Sequence, residues 1–421
     1  MSTTFGELDP AVGVDLPLRL TMPEPTSRPG DAPNFSSVAL SAAGEIRRPD
    51  ITEQVKHMSE FATGLIRVLD DEGRAIGPWT PALDQEVLLE GLRCMMLTRE
   101  FDRRMLLEQR QGKTSFYMQC TGEEAIASAF RTALRKGDMN FPAYRQQALL
   151  IAADYPLELM MSQVYSNSHD PLRGRQMPVF YSSREYGFFS ISGNLATQFV
   201  QAVGWAMASA IKGETAIAAA WIGDGASAES DFYSALTMAS TYQAPVILNI
   251  VNNQWAISTS QSVARGQAAT FALRGHGFGL PSLRVDGNDY LAVYSAASWA
   301  VERARRNLGP TLIEWVTYRA AAHSTSDDPS GYRPKDEFSA WPLGDPIDRL
   351  HQHLCASGSW TEKDRNRLKS DVEDQVRAAQ TLAESYGTMK SGPKLSPREM
   401  FEDVYRDMPE HLRRQRQEAG Y

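Results

Sequence analysis

From Leu83 onward the apolar positions recur at three- and four-residue spacing: Leu88, Leu92, Met95, Met96, then on through Met105. That period predicts a helix with one buried face, and its Met and Leu stripe reads as core. Residues 123–134 predict a second helix, Ala-rich and stopped at Lys136-Gly137. Residues 156–165 predict a third, with Pro156 in its first turn. A long helix of small residues is expected over 195–211, ending at Lys212-Gly213. The pattern then changes to continuous apolar runs at 216–222 and 245–251. Short uninterrupted runs suit strands buried on both faces, as in a parallel sheet. A helix expected at 229–242 between them makes a strand–helix–strand crossover. Residues 282–285 and 311–318 predict further strands, joined by a helix over 290–307. Residues 64–70 predict a short strand entering a turn at Asp71-Glu72-Gly73.

The two ends differ from this body. Residues 1 to 50 are rich in Pro, Gly, Ser and Thr without a period. They read as an extended arm draped over the body or a partner, with disorder the alternative. From Trp341 the chain is polar and helical, with Leu368, Val372, Val376, Ala379 and Leu382 on one apolar face. The organisation expected is an arm (1–60), an α/β domain with a parallel sheet (61–340) and a helical C-terminal region (341–421).

At 421 residues, 42% hydrophobic and 22% charged, the composition is that of a globular protein. A net charge of −8 gives no electrostatic footprint for nucleic acid. Cys94, Cys120 and Cys355 lie far apart and form no CxxC pair, which excludes a zinc knuckle or thioredoxin-like motif and suits a reducing compartment. No apolar run is long enough for a transmembrane helix. Glu7, Asp9, Asp15 and Glu24 make the N-terminus unlike a mitochondrial transit peptide, so the expected location is the cytoplasm, with neither membrane nor nucleic acid as partner.

The chemistry concentrates at two strand ends. Asp224 follows one buried run within Gly223-Asp224-Gly225, and Asn253 follows the next. In open α/β sheets ligands bind outside the carboxyl ends of the strands, so both side chains should face one crevice. Glycines beside Asp224 permit a tight turn and close approach of a phosphate, and the helix that follows points free N–H groups at the same place. A carboxylate, an amide oxygen and a diphosphate form an oxygen-only environment suited to Mg²⁺. Other candidates read as ordinary structure. Residues 275–279 (Gly-His-Gly-Phe-Gly) are expected to be a flexible loop, since no strand precedes them closely. His57, His169, His351 and His353 read as surface residues, and residues 303–306 as the solvated end of a helix. No Gly-x-x-x-x-Gly-Lys motif exists, which removes the P-loop class.

Gly223-Asp224-Gly225 followed by Asn252-Asn253 resembles the signature of thiamine diphosphate enzymes. From about Ile66 to Arg414 the chain resembles the alpha subunits of branched-chain 2-oxo acid dehydrogenases. Matching stretches include Arg110-Gln111-Gly112-Lys113-Thr114-Ser115-Phe116-Tyr117, Leu195-Ala196-Thr197-Gln198, His323-Ser324-Thr325-Ser326-Asp327-Asp328 and Asp403-Val404-Tyr405. The resemblance implies a thiamine diphosphate-binding fold of the diphosphate type. It implies Mg²⁺ ligation by Asp224, Asn253 and the backbone carbonyl of Trp255, with Gly223, Gly225 and Ala226 in the cofactor turn. Tyr144 and Arg145 would lie at the diphosphate, Leu195 under the cofactor's bend, and His323 at the diphosphate and the reacting centre. Phe116, Tyr144 and Leu195 would line the acyl pocket. Ser192, Asn194, Thr197 and Gln198 correspond to a loop that binds a monovalent cation, K⁺, in some relatives; here Gly193-Asn194 replaces the Ser-Pro of that loop. Further departures are Asp224 where Glu is common, Val251 where some relatives carry an Arg, and Ala143 where others have Gln.

The resemblance further implies oxidative decarboxylation of branched-chain 2-oxo acids and transfer of the acyl group to the lipoyl-lysine of a dihydrolipoyl acyltransferase. A separate beta subunit would complete a heterotetramer of two alpha and two beta chains, because only the diphosphate end of a cofactor site can be assigned here. A pyruvate dehydrogenase alpha subunit and a non-catalytic assembly subunit are the alternatives. Ser324 occupies the regulatory serine of mitochondrial relatives, whereas their second phosphorylation site matches Pro334.

Overall fold

A computed structural model of the chain describes residues 19–358 and 360–421. Five strands, Met139–Phe141 (β1), Ala218–Gly223 (β2), Val246–Asn252 (β3), Ser282–Asp286 (β4) and Thr311–Val316 (β5), form one parallel sheet in the order β1-β2-β3-β5-β4. The main helices are Gln85–Arg110 (α1), Glu124–Ala133 (α2), Leu157–Tyr165 (α3), Thr197–Ile211 (α4), Ser230–Tyr242 (α5), Tyr290–Arg305 (α6), Pro346–Ala356 (α7) and Glu362–Ser385 (α8). This is the α/β architecture with a parallel sheet that the apolar runs predict. The three-residue edge strand β1 was not expected; it is too short to carry a period.

Successive side chains of a strand point to opposite faces. Ala219, Trp221, Ile247, Val251, Ile313 and Trp315 therefore enter a core shared with α1, α2 and α6. Ala218, Ala220, Ile222, Val246, Leu248 and Ile250 enter a second core shared with α4 and α5. On the first face Phe130 stands edge-on to Trp221 and Trp315, with ring centroids 4.7 and 6.2 Å apart. Both buried indole N–H groups are satisfied, Trp221 donating to Asn140 Oδ1 (3.2 Å) and Trp315 to Asn249 Oδ1 (2.9 Å). Among the described residues no helix is long and apolar enough to cross a membrane.

Several elements differ from expectation. Residues 64–70 form no strand; Ile66 makes a single bridge to Val285 at the edge of β4, and Leu69 one to Ala75. The cause is Asp289, the N-cap of α6, whose carboxylate takes the Val68 and Leu69 N–H groups (2.8 and 2.6 Å) that a strand would donate to a neighbour. Helix α4 begins at Thr197 rather than Leu195, because Ala196 is left-handed (φ 63°). Part of 275–279 is not a loop: Ala272–Gly277 is a short helix, and Gly275 packs so closely on β5 that a Cβ would lie 2.5 Å from Leu312 Cδ2. Arg303 is buried, not solvated, and donates to the Ile51 and Leu308 carbonyls. His351 and His353 are half-buried; His351 pairs with Glu362 (2.9 Å) and His353 Nδ1 bonds Gly73 O (2.8 Å). His169 stacks on Tyr386 at 3.8 Å.

The described part of the arm lies against the body. Phe35 packs edge-on to Tyr318 and Trp341 (5.8 and 5.0 Å), and Arg284, Trp79 and Trp299 donate to the carbonyls of Ala39, Arg47 and Pro49. Residues 1–18 of the expected arm lie outside the described residues. In the C-terminal region Val372, Val376 and Ala383 of α8 are buried, while Leu382, expected on the same face, is 45% exposed. Asn167 fastens α8 through the Ala383 carbonyl (2.8 Å), and Lys113 bridges Glu108 and Glu384.

The arm depends on one backbone crossing. Gly77 has φ +86°, and a Cβ there would sit 2.2 Å from Gly44 Cα. Gly77→Ala should combine left-handed strain with a backbone clash and cost about 1–3 kcal/mol. Cleavage within residues 30–50 under limited proteolysis should accelerate; a digestion pattern identical to wild type would contradict this.

Candidate functional site

Strands β2 and β3 run in register, with Gly223 paired to Val251, and the Asp224 N–H donates to Val251 O (3.2 Å). Asp224 and Asn253 therefore leave the sheet side by side at its carboxyl edge. They line one cavity of about 480 Å³ with Glu123, Tyr144, Arg145, Leu195, Gly223, Gly225, Ala226, Trp255 and His323. Asp224 is 2% exposed. Its Oδ1 accepts the Gly225 N–H (2.7 Å), while Oδ2 is buried without a partner among the described residues. Burial pushes its pKa up to about 7, against the Gly225 hydrogen bond and the charge of Arg319. An unpaired buried carboxylate oxygen is costly, and a cation at that atom removes the cost. The two glycines differ in use. A Cβ on Gly225 would strike Ala256 Cβ at 2.4 Å, whereas one on Gly223 would meet nothing, so Gly223 keeps open space on the cavity side.

A second carboxylate, not anticipated from sequence, faces the same cavity. Glu123 is 4% exposed and its Oε1 accepts from Asn253 Nδ2 (2.7 Å). Burial pushes its pKa up to about 7, opposed first by Arg145. In sequence Glu123-Glu124 reads only as acidic residues at a helix start, and nothing local separates a helix-end acid from a site acid. Glu123 follows a strip, residues 117–120, and a turn at Thr121-Gly122 closed by Glu123 N on Cys120 O (2.8 Å), and the strip is anchored from behind by Asp102 of α1. That buried carboxylate accepts from Tyr117 Oη (2.7 Å), Cys120 N (2.6 Å) and Gln147 Nε2 (3.2 Å). The strip in turn holds the site: Gln119 O accepts from Arg145 Nη1, and Tyr117 and Thr325 exchange two hydrogen bonds of 3.0 and 3.1 Å.

The other residues singled out from sequence take varied positions. Leu195 is 49% exposed at the cavity, beside Ile257 (53%) and Val263 (40%). The Trp255 carbonyl accepts from Arg319 Nη1 (3.0 Å), which leaves it one lone pair. Ser192 and Gln198 line the cavity; Asn194 and Thr197 do not, but the loop and the start of α4 are tied together, Thr197 Oγ1 donating to Asn194 O and Gln198 Nε2 to Ser192 O. Gln198 Oε1 is buried without a partner among the described residues. Phe116 is half-buried against the first core and does not line the cavity.

His323 stands edge-on to Tyr144 (5.7 Å) and between two guanidinium groups. Arg145 Nη2 lies 3.1 Å and Arg319 Nη1 3.3 Å from its Nδ1. A guanidinium only donates, so Nδ1 is the acceptor and the neutral ring carries its proton on Nε2. Arg319, fully buried, also holds the Ile257 carbonyl and Tyr332 Oη, and Tyr332 and the His323 N–H both donate to Asp327 Oδ2. Burial, then Arg145 and Arg319, push the His323 pKa down to about 3. The imidazole is therefore a fixed neutral donor rather than a group that alternates charge near neutrality. A depressed histidine contributes stability above its ordinary pKa of about 6.5, lost as pH falls towards 3. Histidine NMR of the cofactor-free protein should show no titration of His323 between pH 5 and 8; a midpoint near 6.5 would contradict the assignment.

Comparison with known proteins gives the family. Residues 92–391 match the family model described as dehydrogenase E1 component, and residues 16–56 match that of the 2-oxoisovalerate dehydrogenase E1 alpha subunit N terminal. The chain is 63% identical over 404 residues to the 2-oxoisovalerate dehydrogenase subunit alpha of Pseudomonas aeruginosa, covering 96% of this chain and 98% of that protein. It is 42% identical over 356 residues to the mitochondrial subunit alpha of Mus musculus (84% of this chain, 79% of the relative) and 36% identical over 370 residues to subunit alpha 1 of Arabidopsis thaliana (86% and 77%). The chain therefore belongs to the dehydrogenase E1 component family, among the 2-oxoisovalerate dehydrogenase alpha subunits.

Proposed function

We propose that this chain is the alpha subunit of a branched-chain 2-oxo acid dehydrogenase and holds the Mg²⁺–diphosphate end of thiamine diphosphate. The observation that carries the reading is the unpartnered, buried Asp224 Oδ2 beside Asn253 at the registered ends of β2 and β3. Asp224, the Asn253 amide oxygen and the free lone pair of the Trp255 carbonyl would ligate the ion. Three protein oxygens fall short of an octahedron, and Mg²⁺ commonly completes its shell with phosphate oxygens and water. Arg145, with Tyr144 beside it, supplies positive charge for the diphosphate, in place of an arginine at the Val251 position. When bound, the cofactor supplies the carbanion chemistry and electron sink of decarboxylation. His323 donates its Nε2 proton in a hydrogen bond to an anionic oxygen of cofactor or substrate, held in one tautomer by Arg145 and Arg319. Leu195 and Tyr144 exclude water from the acyl side. Gln198 Oε1 is free to bind K⁺ with the Ser192 loop.

The 2-oxo acid loses CO₂, and its acyl group passes to a lipoyl-lysine whose disulfide is reduced. In this reading the cavity faces a beta chain, which covers the exposed Leu195, Ile257 and Val263 and brings the groups for the other end of the cofactor. Glu123 does not substitute for those groups, because its carboxylate is engaged with Asn253 at the metal end. A heterotetramer acting in the cytoplasm, docked to a dihydrolipoyl acyltransferase, follows.

With thiamine diphosphate, Mg²⁺ and an artificial electron acceptor, the chain alone should release no CO₂ above background. Together with its beta chain it should turn over 3-methyl-2-oxobutanoate with a higher kcat/KM than pyruvate, each additional buried methylene being worth about 0.8 kcal/mol. Turnover by the isolated chain would refute the shared site. Equal kcat/KM for the two acids would refute the branched-chain assignment.

A further inference from the structure

We infer that Glu123 is a positioning residue for the metal: its carboxylate grips the Asn253 amide nitrogen, so that the amide presents its oxygen, and not its NH₂, beside Asp224. This rests on the metal reading above and goes beyond it, since Glu123 touches neither ion nor cofactor in this arrangement.

The argument begins with the asymmetry of asparagine. Its amide has an oxygen that ligates a cation and a nitrogen that does not, and the two ends exchange by a simple flip. Two partners select the orientation here: the Trp255 N–H, which can only donate, faces Oδ1 (3.4 Å), and a Glu123 oxygen accepts from Nδ2. Glu123 Oε1 lies 2.7 Å from Asn253 Nδ2. The bond is buried at both ends, with Glu123 4% and Asn253 7% exposed, where water does not compete for it. The Asn253 backbone is held as well, its carbonyl accepting the Arg319 N–H (3.2 Å). The adjacent Glu124 has a different task, its oxygens accepting from Arg99 Nε (2.7 Å) and Gly122 N (2.8 Å). Of the two acids only Glu123 lines the cavity. The strip pinned by Asp102 sets its reach, and partners behind a metal ligand typically change affinity 10- to 100-fold when removed.

The test uses two conservative variants in the assembled alpha–beta complex, stripped of metal with a chelator. Free Mn²⁺ is followed by electron paramagnetic resonance during titration in the presence of thiamine diphosphate. In E123Q the glutamine oxygen can still accept from Nδ2 while the Trp255 N–H holds Oδ1, so the Mn²⁺ Kd should stay within about threefold of wild type. In E123D the charge remains but the carboxylate is one methylene short, so the Kd should rise about tenfold or more, with turnover recovering at saturating Mn²⁺. D224A should lose the site. The reverse order, with E123D like wild type and E123Q weak, would make charge or direct ligation the role and overturn the inference; so would wild-type affinity in both variants. If wild type itself binds no Mn²⁺ in a cofactor-dependent manner, the metal reading has failed, and not merely this extension of it.

Discussion

A buried carboxylate oxygen without a partner is the constraint on which the site turns. Asp224 Oδ2 sits at the carboxyl edge of a sheet covered on both faces, buried, and no described side chain pairs with it. Such an atom is costly to bury, and a cation at it removes that cost. The surroundings are arranged for that. Gly223 leaves space, Asn253 emerges from the adjacent strand in register, and Arg145 and Arg319 supply positive charge within the same cavity wall or just behind it. The two guanidiniums set positive charge against the two carboxylates, so that an ion carrying a diphosphate would meet charges of both signs there.

The same arginines determine what His323 can do. Because both aim donors at Nδ1, the ring has one available proton and one direction in which to offer it. The Tyr117–Thr325 pair and the Asp327 carboxylate hold the loop that carries it. An imidazole fixed as a neutral donor stabilises negative charge on a facing oxygen without reorganising, which is how preorganised donors contribute to catalysis.

How much of this was legible in sequence follows from the range of the interactions. Strands β2 and β3 and the helices around them were readable because burial on both faces leaves uninterrupted apolar runs and one-sided burial leaves a 3.6-residue period. Asp224 and Asn253 were readable because they end those runs. Glu123, Arg319 and Asp102 were not, because their partners lie far along the chain: Glu123 meets Asn253 across 130 residues, and Arg319 reaches Trp255 across 64. Residues 64–70 misled because their apolar pattern is that of a strand while their N–H groups are taken by the Asp289 side chain, a contact across 220 residues. Arg303 misled for a similar reason: a cation at a helix end is usually solvated, but here the arm crosses above it and offers the Ile51 carbonyl.

In the proposed reading the exposed Leu195, Ile257 and Val263 at the rim of the cavity face a beta chain, so the account is best tested in the complex. Crystals of the alpha–beta assembly grown with Mn²⁺ and thiamine diphosphate give an anomalous signal that locates the metal directly. The account predicts one peak within direct coordination distance of Asp224 Oδ2 and Asn253 Oδ1, with diphosphate oxygens completing the shell. A metal bound elsewhere, or a cofactor seated with Asp224 Oδ2 still unpartnered, would contradict it.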